Sequence, residues 1–149
     1  MTIRDALLSD AAAIARLTGE LGYVANAQAI SDRLSKIIGN PDHLMIVASF
    51  KEEIVGWLQA HASEVLESGF RVEIVGLIVD GNARRLGTGR SLVQRAEQWA
   101  SAINASAVVV RSNTVREESH LFYPAIGFIH SKTQAVYRKQ LKETDSKSA

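Results

Sequence analysis

The sequence predicts an α/β fold, a mixed central sheet of six to seven strands flanked by about four helices. Three observations carry this expectation. Short β-branched runs alternate with stretches of helical periodicity along most of the chain. The run from Val72 to Val79 is almost continuously apolar, as in a strand buried on both faces. A glycine-rich turn and an amphipathic helix follow it directly, and strands mixed with helices in this order build an α/β sandwich around one sheet.

Each element has a local reason. Ile3 and Arg4 suggest a short first strand. Ser9 is a candidate N-cap for a helix running to about Leu21, with Ala12, Ile14, Ala15 and Leu17 near one face and Gly22 as its stop. A second helix is expected over Ala27 to Ile38, ending at Gly39-Asn-Pro41. Leu44 to Phe50 reads as a strand, turned by Lys51-Glu-Glu53 into a second arm from Ile54 to Ala62. Ser63 to Phe70 reads as a polar connection into the central strand, Val72 to Val79. From Ser91 to Ile103, the residues Leu92, Val93, Ala96, Trp99, Ala100 and Ile103 recur at helical spacing and form a sheet-facing stripe. Ala107 to Arg111 is another strand, and Glu117 to Ile126 a short helix stopped by Gly127. Phe128 to Ser131 and Ala135 to Leu141 suggest a last hairpin.

Composition sets bounds. The 149 residues fit one domain, expected over 1–142, with a polar and frayed tail over 143–149. Hydrophobic residues at 46% and charged residues at 22% are the balance of a soluble globular protein. Cysteine is absent, which excludes disulfides, thiolate metal sites and a cysteine nucleophile. The start, Met1-Thr-Ile-Arg-Asp, has no signal-peptide character, and no apolar run reaches the ~20 residues of a membrane span. A cytoplasmic location is expected. A net charge of +1 gives no reason to expect nucleic acid as a partner.

The junction Arg84-Arg-Leu-Gly-Thr-Gly89 carries the chemistry. A glycine-rich turn that enters a helix presents unpaired N–H groups at the positive end of the helix dipole, a ready site for phosphate. Arg84, Arg85 and Arg90 add cationic groups suited to phosphate oxygens. Two familiar phosphate loops fail here. A Walker A loop needs Lys and then Ser or Thr after its last Gly, but Gly89 is followed by Arg90. A dinucleotide fingerprint needs a third glycine where Leu92 stands.

The pattern Arg84-x-x-Gly87-x-Gly89 resembles instead the acyl-CoA pyrophosphate loop of the Gcn5-related N-acetyltransferase (GNAT) superfamily, Gln/Arg-x-x-Gly-x-Gly/Ala. The flanks resemble that family in order. Glu73-Ile-Val-Gly-Leu-Ile-Val79 precedes the loop, a long amphipathic helix follows it, then come Val108-Val-Val-Arg-Ser-Asn113 and His120-Leu-Phe-Tyr-Pro-Ala-Ile-Gly-Phe128. The resemblance runs from about Ile3 to Leu141.

The resemblance implies a GNAT-like fold and an acetyl-CoA-dependent N-acetyltransferase. In such enzymes the pantetheine arm pairs with the central strand, here Leu77, Ile78 and Val79. The diphosphate meets the segment Arg84, Arg85, Leu86, Gly87, Thr88, Gly89, Arg90 and Ser91. Asn113 matches an Asn that contacts the CoA arm. Tyr123, from the Phe-Tyr motif, matches the general acid that protonates the departing thiolate; a phenol with a pKa of ~10 holds its proton at neutral pH. Read alone, Tyr123 is a core-edge aromatic. Pro124 departs from the charged residue common after this Tyr and biases Tyr123 away from helical dihedrals. Glu73, eleven residues before Arg84, resembles the general base of the histone acetyltransferase branch; read alone it is a strand-edge carboxylate.

His120 precedes the Phe-Tyr motif and fits a structural role. His43, His61 and His130 have no partner at metal-ligand spacing, so no metal is expected. Trp57 and Trp99 fit apolar faces. The acceptor is expected to be a primary amine, of a small molecule or of a protein lysine or N-terminus. The segments from Tyr23 to Ile38 and Ser63 to Phe70 match regions that line the acceptor cleft in relatives. Small size favours the small molecule. A non-catalytic CoA-binding sensor and a homodimer are the remaining alternatives for role and assembly.

Overall fold

A computed structural model describes residues 1–20, 26–111 and 117–142, with only the backbone of Arg84, Arg85 and residues 117–120 described. Two compact units form. The first holds Met1–Val110 and the second begins at Arg111.

The first unit is built on five strands: β1 (Thr2–Asp5), β2 (His43–Phe50), β3 (Glu53–Val65), β4 (Gly69–Val79) and β5 (Val108–Val110). They lie in the order β1-β2-β3-β4-β5, antiparallel except for the parallel pair β4–β5. Helices α1 (Ala11–Glu20) and α2 (Ala27–Ile37) cover one face, where Ala6, Ala11, Ile14, Leu34, Met45 and Val47 form a buried cluster joined by Ile30, Ile37, Ile54 and Trp57. Helix α3 (Thr88–Ala102) covers the other, with Leu92, Val93, Ala96 and Ala100 buried. Gly56 lets α3 seat closely: a Cβ there would lie 3.1 Å from Ile78 O, 3.2 Å from Thr88 Cγ2 and 3.3 Å from Leu92 Cδ1. That contact sets where the first turn of α3 meets the sheet.

Two places differ from expectation for local reasons. Ser9 is not the cap of α1; Leu8–Asp10 form a 3-10 turn, and the Asp10 carboxylate accepts from Leu7 N–H at 2.8 Å and from both Arg4 guanidinium nitrogens at 2.8 and 2.9 Å. Asn26, by contrast, caps α2 by accepting from Ala29 N–H at 2.8 Å. The segment Ser63–Phe70 is not a loose connection. Strands β3 and β4 stay paired to Val65↔Gly69, closed by three residues and a left-handed Gly69 (φ 86°), the geometry of a bulged hairpin. Pairing there satisfies the backbone while the polar side chains face water.

The paired Arg4 guanidinium and the Leu7 amide hold the Asp10 carboxyl below the usual carboxylate range, against an opposing effect of burial. A depressed folded pKa stabilises the fold above the unfolded value of ~3.9, and that stability is lost as pH falls through the folded value. Asp10→Asn is therefore expected to lower stability by about 1–3 kcal/mol at pH 7. The gap between the proteins should narrow below about pH 4, as urea melts across pH would show.

Lys51 and Glu52 form the two-residue turn between β2 and β3 with φ of 51° and 66°. Both side chains pay a steric cost in this left-handed region. Replacing the pair by Asn-Gly is expected to raise stability by about 1 kcal/mol. An unchanged unfolding midpoint would show that the turn relaxes without strain.

In the second unit, α4 (Glu117–Ala125) ends in a well-formed cap. Gly127 is left-handed (φ 98°), its N–H donates to Pro124 O at 3.2 Å, and Phe128 N–H donates to Tyr123 O at 3.0 Å. This double bond pattern is a Schellman motif, completed by the expected apolar contact between Tyr123 and Phe128. Contrary to the expected bias from Pro124, Tyr123 is helical: α4 runs through Pro124 to Ala125, and the proline stands one residue before the helix ends. Among the described residues the sheet has five strands rather than six to seven. No strand follows Val110 among the described residues. Strands need a ladder partner and a buried face. In Phe128–Ser131 and Ala135–Leu141, the side chains of Ile129, Val136, Tyr137 and Leu141 are 83–93% exposed, and a local bond joins His130 to Thr133 instead.

Candidate functional site

The central strand β4 has one edge that opens partway along. It pairs with β3 along its length, yet β5 pairs only with Val72, Glu73 and Ile74. Between Ile74 and Gly76 the β3–β4 register slips, so Val75 has no cross-strand partner and is half exposed. Such a bulge bends the strand and turns it away from its neighbour. Beyond it, Gly76, Leu77, Ile78 and Val79 have no strand on the β5 side among the described residues. Such an edge suits an extended ligand bearing amides, which can add to a sheet as a further strand.

The open edge leads to a helix start. Asp80 caps the 3-10 turn Gly81–Leu86 by accepting from Asn82 N–H at 3.0 Å. Gly87 then takes a left-handed conformation (φ 71°, ψ 23°) and begins α3. The first amide of the regular ladder is Ser91 N–H, which donates to Gly87 O at 3.0 Å. The amides of Thr88, Gly89 and Arg90 thus have no acceptor within the helix, and Gly87 has no side chain to cap them. Three amides at the positive end of a fifteen-residue helix suit a diphosphate.

The expected residues fall in different places. Leu77, Ile78 and Val79 lie on the open edge, and Leu86, Gly87, Thr88, Gly89, Arg90 and Ser91 at the turn and helix start. The Thr88 hydroxyl is committed elsewhere, fully buried and donating to Ala83 O at 3.1 Å, so only the Thr88 amide faces this role. Leu86 and Arg90 are exposed. Arg84 and Arg85 lie in the 3-10 turn. Asn113 lies outside the described residues. A Cβ on Gly87 would meet no protein atom within 4 Å, so backbone conformation rather than crowding calls for glycine.

Glu73 is half-buried on β4, directly across from His61 on β3 and Val109 on β5. In the second unit, Tyr123 is half-buried between two aromatic edges. Its ring lies 5.1 Å from Phe122 and 5.7 Å from Phe128, both at 72°. The phenol is thus oriented by the same cap that ends α4.

Two neighbours went unseen in the sequence. The His43 and His61 rings lie 4.6 Å apart, although eighteen residues separate them. The β2–β3 register sets them opposite each other, but a bulge between Ala48 and Ser49 shifts that register by one residue, so counting back from the Lys51-Glu52 turn pairs His43 with Ala60 instead. Burial, and then the nearby His61, lower the pKa of His43 against an opposing pull from Asp42. Trp57 lies over Gly76, where a Cβ would come within 2.5 Å of the indole. A glycine inside a strand is the signal for such an approach. Among the described residues, no group of three His, Asp or Glu is placed to hold a metal, and no helix is long and apolar enough to cross a membrane.

Comparison with known proteins gives a consistent picture. The model of the acetyltransferase (GNAT) family matches residues 11–128. The acetyl transferase GW6a of Oryza sativa subsp. japonica is 35% identical over 88 residues, covering 51% of this chain and 21% of that protein. The N-acetylaspartate synthetase of Rattus norvegicus is 31% identical over 90 residues, covering 60% of this chain and 29% of that protein. The chain therefore spans less than a third of the length of either relative. Among solved structures, a transcriptional regulator from Bacillus halodurans C-125 superposes with a TM-score of 0.83 at 24% identity, over 93% of this chain and 99% of that one. Glucosamine-6-phosphate N-acetyltransferase from Arabidopsis thaliana gives 0.81 at 18% identity, over 93% and 98%. At these identities the structural likeness speaks to the fold.

Proposed function

The chain belongs to the acetyltransferase (GNAT) family, and from that premise we propose that it transfers the acetyl group of acetyl-CoA directly to a primary amine of a small molecule. The observation that carries this reading is the continuous path from the open edge of β4 to the uncapped start of α3. It offers main-chain pairing for an extended amide-bearing arm and unpaired amides for a diphosphate, which are the two parts that a CoA thioester presents in sequence.

Acetyl-CoA supplies an acyl group already activated as a thioester. The protein then has three tasks. Residues 76–79 orient the arm, which alone accounts for a large share of acyl-transfer catalysis. Glu73 accepts a proton from the acceptor ammonium, whose pKa near ~10 otherwise keeps it unreactive at neutral pH. Tyr123 donates its phenolic proton to the departing sulfur. Several structural neighbours act on small amines, including glucosamine 6-phosphate and aminoglycosides, and this supports a small-molecule acceptor. Calorimetric titration with acetyl-CoA, followed by thiol release across aminoglycosides, amino sugar phosphates and amino acids, tests the reading. Binding with amine-dependent thiol release is expected. Absence of binding by folded protein would refute it.

A further inference from the structure

Three strands bring one row of titratable side chains together on a single face of the sheet. His43 on β2 is in register with His61 on β3, and His61 is in register with Glu73 on β4. Residues directly opposite across strands share a face, with Cβ atoms about 4.5–5.5 Å apart. The 4.6 Å separation of the two imidazole rings shows this contact realised at one end. All three side chains are half-buried, and the row ends next to Asp42, which is exposed at the start of β2.

Packing does not account for the row. His43 Nδ1 is buried and has no hydrogen-bond partner. A phenylalanine at either position would give the same ring contact without an orphaned polar atom, and orphaned buried polar atoms call for a reason. Imidazole is the side chain that accepts a proton at one nitrogen while releasing one from the other near neutral pH. Burial and the neighbouring His61 keep His43 neutral more readily than an exposed histidine.

From this row we infer that His61 is a positioning residue that acts through Glu73, taking from it the proton removed from the acceptor amine and passing it along His43 towards solvent. The inference rests on the reading of Glu73 as the base. In each turnover an amine N–H bond breaks and a Glu73 O–H bond forms. That O–H bond then breaks as an N–H bond forms on the His61 ring, and the proton leaves to water at the Asp42 end. Glu73 returns to its carboxylate form, and nothing is oxidised or reduced.

The test is a double-mutant cycle, read by thiol release from acetyl-CoA with glucosamine 6-phosphate, an aminoglycoside and free amino acids as amines. His61→Gln and His61→Ala are expected to lower kcat about tenfold, with the acetyl-CoA KM within about twofold of wild type. The Glu73→Gln/His61→Gln double variant should be no slower than Glu73→Gln alone, because residues that act as one unit are not additive. Added imidazole should restore turnover to His61→Ala, which a merely structural role would not produce. Thermal melts of each variant establish that it is folded; if His61→Ala is not, His61→Gln within the cycle decides. Wild-type rates in the His61 variants, or losses that multiply in the double variant, would overturn the inference and leave Glu73 as base. A wild-type rate in Glu73→Gln would remove the base assignment and the inference with it. No turnover of the wild-type protein with any of the amines would overturn both.

Discussion

Gly87→Val is expected to weaken acetyl-CoA binding about 100-fold, or ~3 kcal/mol, in a protein that still folds. Gly87 sits at φ 71°, where a β-branched side chain is strongly disfavoured. The valine variant relieves the strain only by rotating the turn that begins α3. That rotation misaligns the amides of Thr88, Gly89 and Arg90, the three with no acceptor inside the helix. A second substitution separates the two ways a side chain could act. Gly87→Asn tolerates the left-handed region, so it should keep the turn. If Gly87→Asn binds nearly as well as wild type, backbone conformation explains the loss in valine. If both variants lose affinity equally, the side chain itself fills the phosphate approach. Wild-type affinity in folded Gly87→Val would remove the diphosphate from this turn. Isothermal titration with acetyl-CoA reads all three cases, and the rest of the sheet should be indifferent, since no protein atom lies within 4 Å of the new Cβ.

Tyr123→Phe should lower kcat about 100-fold while acetyl-CoA affinity stays within a few-fold of wild type. The substitution deletes one hydroxyl and leaves the ring, which keeps its edge contacts with Phe122 and Phe128. The Schellman cap depends on backbone bonds from Gly127 and Phe128, so it too survives. A structural role for Tyr123 therefore predicts almost no change in turnover, and an acid role predicts a large one. Thiol release under saturating acetyl-CoA distinguishes them. An unchanged kcat would take Tyr123 out of the mechanism and leave the thiolate to be protonated by water.

Much of the fold was legible in the chain itself. The stripe Leu92, Val93, Ala96 and Ala100 marks the buried face of α3, and all four are buried. Gly127 ends α4 through capping chemistry that depends only on neighbouring residues. The family was legible too, because its motifs are short and ordered along the chain. The start of α1 differs from the expected Ser9 cap because the Asp10 carboxylate, paired with Arg4, reaches back to the Leu7 amide, so the chain already turns at Leu8 and Ser9 lies inside that turn. The β3–β4 hairpin extends further than its sequence suggests, because its tip is polar and polarity alone does not show that backbone pairing continues. The expected closing hairpin does not form among the described residues, because its apolar residues find no ladder.

The sequence by itself determined the family, the α/β class, the glycine-rich start of α3 and the stop of α4 at Gly127. All of these are written in residues within a few positions of one another, where local sterics and hydrogen bonding decide. Only the tertiary structure decided where β5 leaves the edge of β4, that Val75 bulges out of register, and that His43, His61 and Glu73 form one row. These depend on the register between strands far apart in the chain, and register is set by how whole faces pack rather than by any single residue.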